Sequence, residues 1–187
     1  QGEEDKRAVL ESESDKREAE RETRDRNPST PLHWAARDGN FDCTSQLLDA
    51  CPDMVHSKGW NGFTPLHWAC WEGHHDIAAL LLMHRSNTEA ADDWGRTPLH
   101  WASDNNHSAL AAYLIADSGA IVDSTTPKGI TPMHLACRAG NLEVVRILIE
   151  AGANVNLNSS TNQPNTSPLG VAQSQAGSCR YNAGVVK

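Results

Sequence analysis

Residues 64–75 read TPLHWACWEGHH, and the first four letters decide the fold because they return. Thr30-Pro31-Leu32-His33, Thr64-Pro65-Leu66-His67, Thr97-Pro98-Leu99-His100 and Thr131-Pro132-Met133-His134 begin 34, 33 and 34 residues apart. A degenerate copy, Ser167-Pro168-Leu169-Gly170, starts 36 residues after the fourth. Three copies continue with Trp-Ala, at Trp34, Trp68 and Trp101, and the fourth with Leu135-Ala136. A helix-stopping glycine follows at Gly39, Gly73 and Gly140. The third copy has Asn106 there, and Asn is the non-glycine residue that best tolerates a left-handed cap. A period of this length is the signature of a stacked array.

Each unit reads as helix, turn, helix, hairpin loop. The Thr serves as N-cap, and Pro takes the first helical position, where its missing N–H costs nothing. The second helix shows its apolar rows most clearly in Ile77, Leu80 and Leu81 and in Val144, Val145 and Leu148. Helices this short are marginal alone and must bury their faces against the next unit. Gly62, Gly95 and Gly129 stand just before the following Thr-Pro, as a tight turn requires.

This pattern resembles the ankyrin repeat, and GITPMHLACRAGNLEVVRILIEAGANVN, residues 129–156, is close to that family's consensus throughout. The resemblance covers roughly residues 25–172 and implies an all-α solenoid of stacked helix-turn-helix units joined by hairpin loops. The expected organisation is a charged extension over 1–26, four repeats over 27–158 and a partial or atypical fifth over 159–187. Gln1-Gly2 is set aside as a tag remnant. Arg85 departs from the family, standing where a Gly usually follows the second helix. The connection LNSSTNQPNTSP is long and polar, and Gly170 replaces the motif His.

The extension carries ten acids and seven bases over residues 3–26, with only Ala8, Val9, Leu10 and Ala19 apolar. Glu3–Arg7, Glu13–Arg17, Glu20–Arg24 and Glu22–Arg26 fall in the favourable i,i+4 order. A solvated helix or linker fits this composition, as does a helix docking its Val9-Leu10 edge as a cap. No apolar heptad seam supports a coiled coil.

Composition narrows the function. The net charge is -8 with no basic patch, which disfavours nucleic acid. No apolar run approaches the ~20 residues of a membrane span, so no membrane insertion is expected. Five cysteines, none in a C-x-x-C pair, point to a reducing compartment, cytoplasmic or nuclear. Cys70 and Cys137 share the small-residue position of Ala36 and Ser103 and are expected to be buried and inert.

His33, His67, His100 and His134 recur with the scaffold. The resemblance implies that each bonds its motif threonine (Thr30, Thr64, Thr97, Thr131) and neighbouring backbone. His74 and His107 follow the helix turn, while His75 and His84 are individual. No H-E-x-x-H or C-x-x-C frame offers a metal its ligands, and no phosphate loop or nucleophile elbow is present. No cofactor and no catalytic residue is expected.

The six tryptophans divide by register. Trp34, Trp68 and Trp101 recur on the first helix and are expected to stack along the array as core. Trp60, Trp71 and Trp94 do not recur. The resemblance places residues flanking the hairpin glycine, and those just before the helix-turn glycine, on a concave groove where partners bind. Trp60, Phe63, Trp71, Glu72, Trp94, Arg96, Asp104 and Arg138 are therefore the expected contact residues. Tryptophan and arginine dominate interface hot spots; the alternative is that Trp60 and Trp94 fold down over adjacent hairpins. With Glu72, Asp92, Asp93 and Asp104 alongside, the expected partner is a protein or extended peptide with an apolar anchor and some basic character. The chain is expected to be a monomeric interaction module, or else the substrate-recruiting or regulatory segment of a larger enzyme or channel.

Overall fold

The computed structural model describes residues 29–159 together with Ser167, Pro168 and Gly170. The charged extension and nearly all of the fifth copy lie outside these residues. Eight α-helices occupy the described part: α1 (Pro31–Arg37), α2 (Phe41–Ala50), α3 (Pro65–Glu72), α4 (His75–Met83), α5 (Pro98–Asp104), α6 (Ser108–Ala116), α7 (Pro132–Ala139) and α8 (Leu142–Glu150). No strand is present among the described residues. None of these helices is long and apolar enough to cross a membrane.

Local chemistry sets the boundaries. Thr30, Thr64, Thr97 and Thr131 hold extended backbone with ψ of 163–167°, and Pro opens the helix behind each. The left-handed turn after each first helix is made by Gly39, Gly73, Asn106 and Gly140, with φ of 74°, 84°, 63° and 77°. Gly73 also lies hard against the His107 ring, so a side chain there would meet both backbone strain and a clash.

The first helices stack on one another, α1 on α3, α3 on α5 and α5 on α7. The second helices form a parallel layer, α2 to α4 to α6 to α8. Between the layers runs one continuous core of Leu32, Leu66, Leu99 and Met133 from the first helices. The second helices contribute Leu48, Ile77, Leu81, Leu110, Leu114, Val144 and Leu148. Each unit thus buries its apolar stripe mostly against its neighbours, and no single unit has a core of its own.

The hairpin loops are closed by short backbone bonds. The N–H of Gly59 donates to the carbonyl of Phe63 at 2.7 Å, and those of Asp92 and Thr126 donate to Arg96 and Ile130 at 3.0 Å. Adjacent loops are joined where the Asp93 N–H donates to the Asn61 carbonyl at 3.0 Å.

Arg85 follows α4 with φ of 64°, while Gly119 and Gly152, at φ of 70° and 86°, take its place in the next two units. Its side chain is exposed, so the left-handed backbone is strain without compensation. Arg85→Gly should raise unfolding stability by up to about 1 kcal/mol, measured by urea denaturation. A fall in the midpoint would contradict this assignment of strain.

Candidate partner-binding surface

The motif histidines tie unit to unit. Nδ1 of His33, His67, His100 and His134 accepts the backbone N–H of its own threonine at 3.0–3.1 Å. The threonine hydroxyl lies 2.8–2.9 Å from the same nitrogen. A ring that accepts at Nδ1 carries its proton on Nε2, and there it donates to the next unit. His33 reaches the Phe63 carbonyl at 2.9 Å, His67 that of Arg96 at 3.1 Å and His100 that of Ile130 at 3.0 Å. Burial disfavours the imidazolium and holds His67 and His100 down to about 4, from an ordinary 6.5. His33 is lowered by the same desolvation.

A second set of side chains closes the ends of the first helices. His74 Nε2 donates to the Arg37 carbonyl at 3.0 Å and His107 Nε2 to that of Trp71 at 2.8 Å. Asn141 donates to the carbonyls of Ser103 and Asp104 at 2.8 and 3.0 Å. These bonds satisfy carbonyls that a helix terminus leaves unpaired. Among the described residues no group of three His, Cys, Asp or Glu could hold a metal ion. Cys70 is buried, which pushes its thiol up, and Cys137 is raised to about 11 by the same cause.

The aromatics gather into one cluster in units two and three, arranged differently from the expected row. Phe63, expected on the contact surface, is 2% exposed and forms the hub. Its ring centre lies 5.0–6.1 Å from those of Trp68, Trp71, Trp94 and Trp101. It turns inward because two first helices offer the rings of Trp68, Trp71 and Trp101, and the next hairpin loop that of Trp94, in place of water. Trp71 is partly buried and stacks on Trp101, with ring centres 4.3 Å apart and planes 23° from parallel. The Arg96 guanidinium also lies over Trp101, at 4.5 Å from its ring centre. Trp34, Trp68 and Trp101 therefore do not form a continuous stack. Phe63 and Trp71 intervene, and Trp34 stands 45% exposed with Arg37 over its ring at 4.6 Å.

Two of the expected aromatic contacts remain open. Trp60 is 47% exposed and Trp94 is 49% exposed. The Trp94 ring rests edge-on against Phe63 and Trp101, at 6.1 and 6.3 Å, so one part is fixed and another faces solvent. Glu72 is exposed at the end of α3. Asp104 is mostly shielded and shared between two cations, with Arg138 at 3.0 Å and Arg96 at 3.9 Å. Its charge is largely spent inside the surface.

Asp92, which the sequence suggested only as an acidic neighbour, organises the third loop from within. Its Oδ1 accepts the backbone N–H groups of Trp94 and Arg96 at 2.9 and 2.8 Å. Its Oδ2 accepts the Trp101 indole N–H at 2.9 Å. One buried carboxylate thus fixes the loop that presents Trp94 and the ring on which Trp94 rests. The signal was present in the sequence as a fixed spacing: Asp92 lies five residues before Thr97, and Trp101 four after it. In unit two the corresponding position is Gly59, and the Trp68 indole N–H is buried with no acceptor.

A family model for ankyrin repeats matches residues 7–92 and 83–159. The chain belongs to the ankyrin-repeat family. The ankyrin region is also similar to that of a putative palmitoyltransferase, ZDHHC13, of Danio rerio. Identity is 33% over 132 residues, which is 69% of this chain but 20% of the relative. The chain therefore aligns with about a fifth of that protein.

Two predictions come from these ankyrin contacts. The lowered His67 and His100 give a stabilisation fully present above pH 6.5 that is lost as pH falls toward 4, because the unfolded chain takes up protons first. Between pH 7 and pH 5 the unfolding free energy should drop by on the order of a few kcal/mol, and His100→Gln should flatten that slope by roughly half. A flat profile in the wild type would refute the neutral, buried assignment. Asp92→Asn keeps an acceptor for the loop but turns a donor toward Trp101. It should destabilise by about 1–3 kcal/mol and shift the Trp101 indole resonance.

Proposed function

We propose that the array recognises a protein or extended peptide through the surface of units two and three, with Trp60 and Trp94 as anchors. The observation that carries this reading is the pair of half-exposed indoles on adjoining loops, one of them propped on a buried aromatic hub. An exposed tryptophan contributes little to the fold by itself, whereas a rigid one offers large contact area at small entropic cost on binding. Ankyrin repeats are protein-interaction modules, and this part of the chain serves recognition rather than catalysis. Basic groups on the partner would meet Glu72 and Asp93, since Asp92 and Asp104 are engaged internally. A monomer in a reducing, cytoplasmic or nuclear setting completes the reading.

The similarity to a palmitoyltransferase supports a second reading, in which the array recruits substrate for a larger enzyme. Catalytic or membrane-embedded sequence in the same reading frame would favour it.

Affinity capture from lysate with wild type beside Trp60→Ala/Trp94→Ala tests the surface, with matched melting curves required of the two proteins. A partner held by the wild type should bind the variant about 30-fold or more weakly, the weight of at least one hot spot. Equal retention would remove these tryptophans from the interface.

A further inference from the structure

Charge is unevenly spread over the register positions expected at the groove, the two flanking each hairpin glycine and the two before each helix-turn residue. In unit two they hold one acid, Glu72, and no base. In unit three they hold one of each sign, Arg96 and Asp104. In unit four they hold two bases, Lys128 and Arg138, and no acid. Charge at these positions thus climbs from negative through neutral to positive along three consecutive units.

The contacts keep that gradient at the surface. Asp104 accepts from one nitrogen of Arg138 at 3.0 and 3.2 Å and lies 3.9 Å from Arg96, so one carboxylate serves two guanidiniums. Asp92, the other acid bonded within that loop, is buried with both oxygens taken by N–H groups. The Arg96 guanidinium is turned onto Trp101 and its side chain is 21% exposed, whereas that of Arg138 is 49% exposed. The outward charge of this network therefore shows at Arg138, whose other guanidinium N–H groups take no acceptor among the described residues. Lys128 is exposed beside Gly129, the position Trp94 holds beside Gly95, and makes no ion pair among the described residues. At the opposite end Glu72 and Asp93 are exposed, with the Asp93 carboxylate against Gly62 between the two tryptophan-bearing loops. Lys58, the cation of the unit-two loop, is tied to the Ala91 carbonyl at 2.7 Å.

We infer that this surface reads an extended peptide in one direction. Its apolar residue seats at Trp60 and Trp94, and a carboxylate one unit further along meets Arg138 and Lys128. The inference rests on the partner reading above and adds to it an acidic recognition element with a fixed place. A guanidinium with free N–H groups binds a carboxylate through charge-assisted hydrogen bonds, and the wrong sign at that place is repelled. The spacing follows from the stack. Packed helices lie about 8–10 Å apart and an extended chain advances about 3.3 Å per residue, so the acid falls about three residues from the apolar anchor. A peptide laid the other way would bring its acid to Glu72 and Asp93, and like charges would oppose it.

The test pans randomised dodecapeptides displayed on phage against the full 187-residue chain, keeping clones that Trp60→Ala/Trp94→Ala loses. Those clones should be enriched in Asp or Glu about three residues from an apolar residue. A synthetic peptide from that pool should bind Lys128→Glu about tenfold more weakly than wild type, and should regain affinity for it when its acid is replaced by Lys. Arg138→Gln should weaken the acidic peptide in the same direction, and matched melting curves report that both variants are folded. Tryptophan-dependent clones without an acid preference would overturn the inference and leave the partner reading standing. So would an acid preference that both variants leave unchanged. A library that yields no tryptophan-dependent clone would overturn the peptide reading itself, and this inference with it.

Discussion

Each described unit depends on a histidine ring that accepts at one nitrogen and, where its far partner is seen, donates at the other. Nδ1 takes the threonine N–H at the start of its own helix, and Nε2 of His33, His67 and His100 reaches a carbonyl 29 or 30 residues further along. The same side chain thereby caps a local structure and docks a remote one. Neither bond is strong in isolation, at about 1 kcal/mol net, but a buried ring with one nitrogen unpaired would lose more than that. The arrangement works only for the neutral imidazole with its proton on Nε2. A side chain with one polar group could satisfy the cap or the carbonyl, but it could not span both with a rigid plane. Local and long-range preferences therefore point to the same geometry, which is the condition for one well-defined native state.

Tryptophan on the first helix adds apolar area to that frame but brings an N–H that needs an acceptor. Unit three resolves this with Asp92, whose second oxygen also closes the loop ahead of the helix. Unit two has Gly59 instead, where a Cβ would crowd Ser29 and the His33 ring. A side chain there would have to displace the Ser29 hydroxyl and press on the His33 ring, and the Trp68 N–H stays unpaired. Phe63 offsets some of this cost by filling the space between the rings, with contacts to four tryptophans. The exposed face of Trp94 is consequently rigid because everything beneath it is packed. It is the underside of the cluster, more than the visible surface, that suits it to recognition.

Boundaries, turns and core positions were legible because each follows from chemistry within a few residues. Thr-Pro starts a helix, Gly or Asn stops it, and the leucine two residues after the threonine meets its counterparts in the flanking units. Arg85 stood out for the same reason, as a residue with a Cβ where the backbone turns left-handed. The fate of the aromatics was less legible. Register places Trp60 and Phe63 in one hairpin loop and Trp94 in the next, but whether a ring turns inward depends on free ring faces in the neighbouring unit. Trp34 shares the motif position of Trp101 but is 45% exposed where Trp101 is 6% exposed. Asp92 was read as one of several rim acids, since its partner is nine residues away and is reached only once the loop has closed. Position in a repeat is a local property, whereas side-chain direction is a property of the assembled stack.

The surface and the stack therefore share their supports. The loops carrying Trp60 and Trp94 are joined by the Asp93–Asn61 backbone bond, and His67 anchors the Arg96 carbonyl just beyond Trp94. A ligand touching both loops would bridge the junction between units two and three and stabilise that junction by mass action. In an array held together by nearest-neighbour contacts, strengthening one junction is felt as cooperativity along the whole. Substitutions in the supports, such as His67, Phe63 or Asp92, must then alter stability and recognition together, and a loss of binding in them would say little about contact. The half-exposed indoles are different because their outward parts touch no described ring. Only there can recognition be removed with little change to the stack, which makes those two side chains the informative ones.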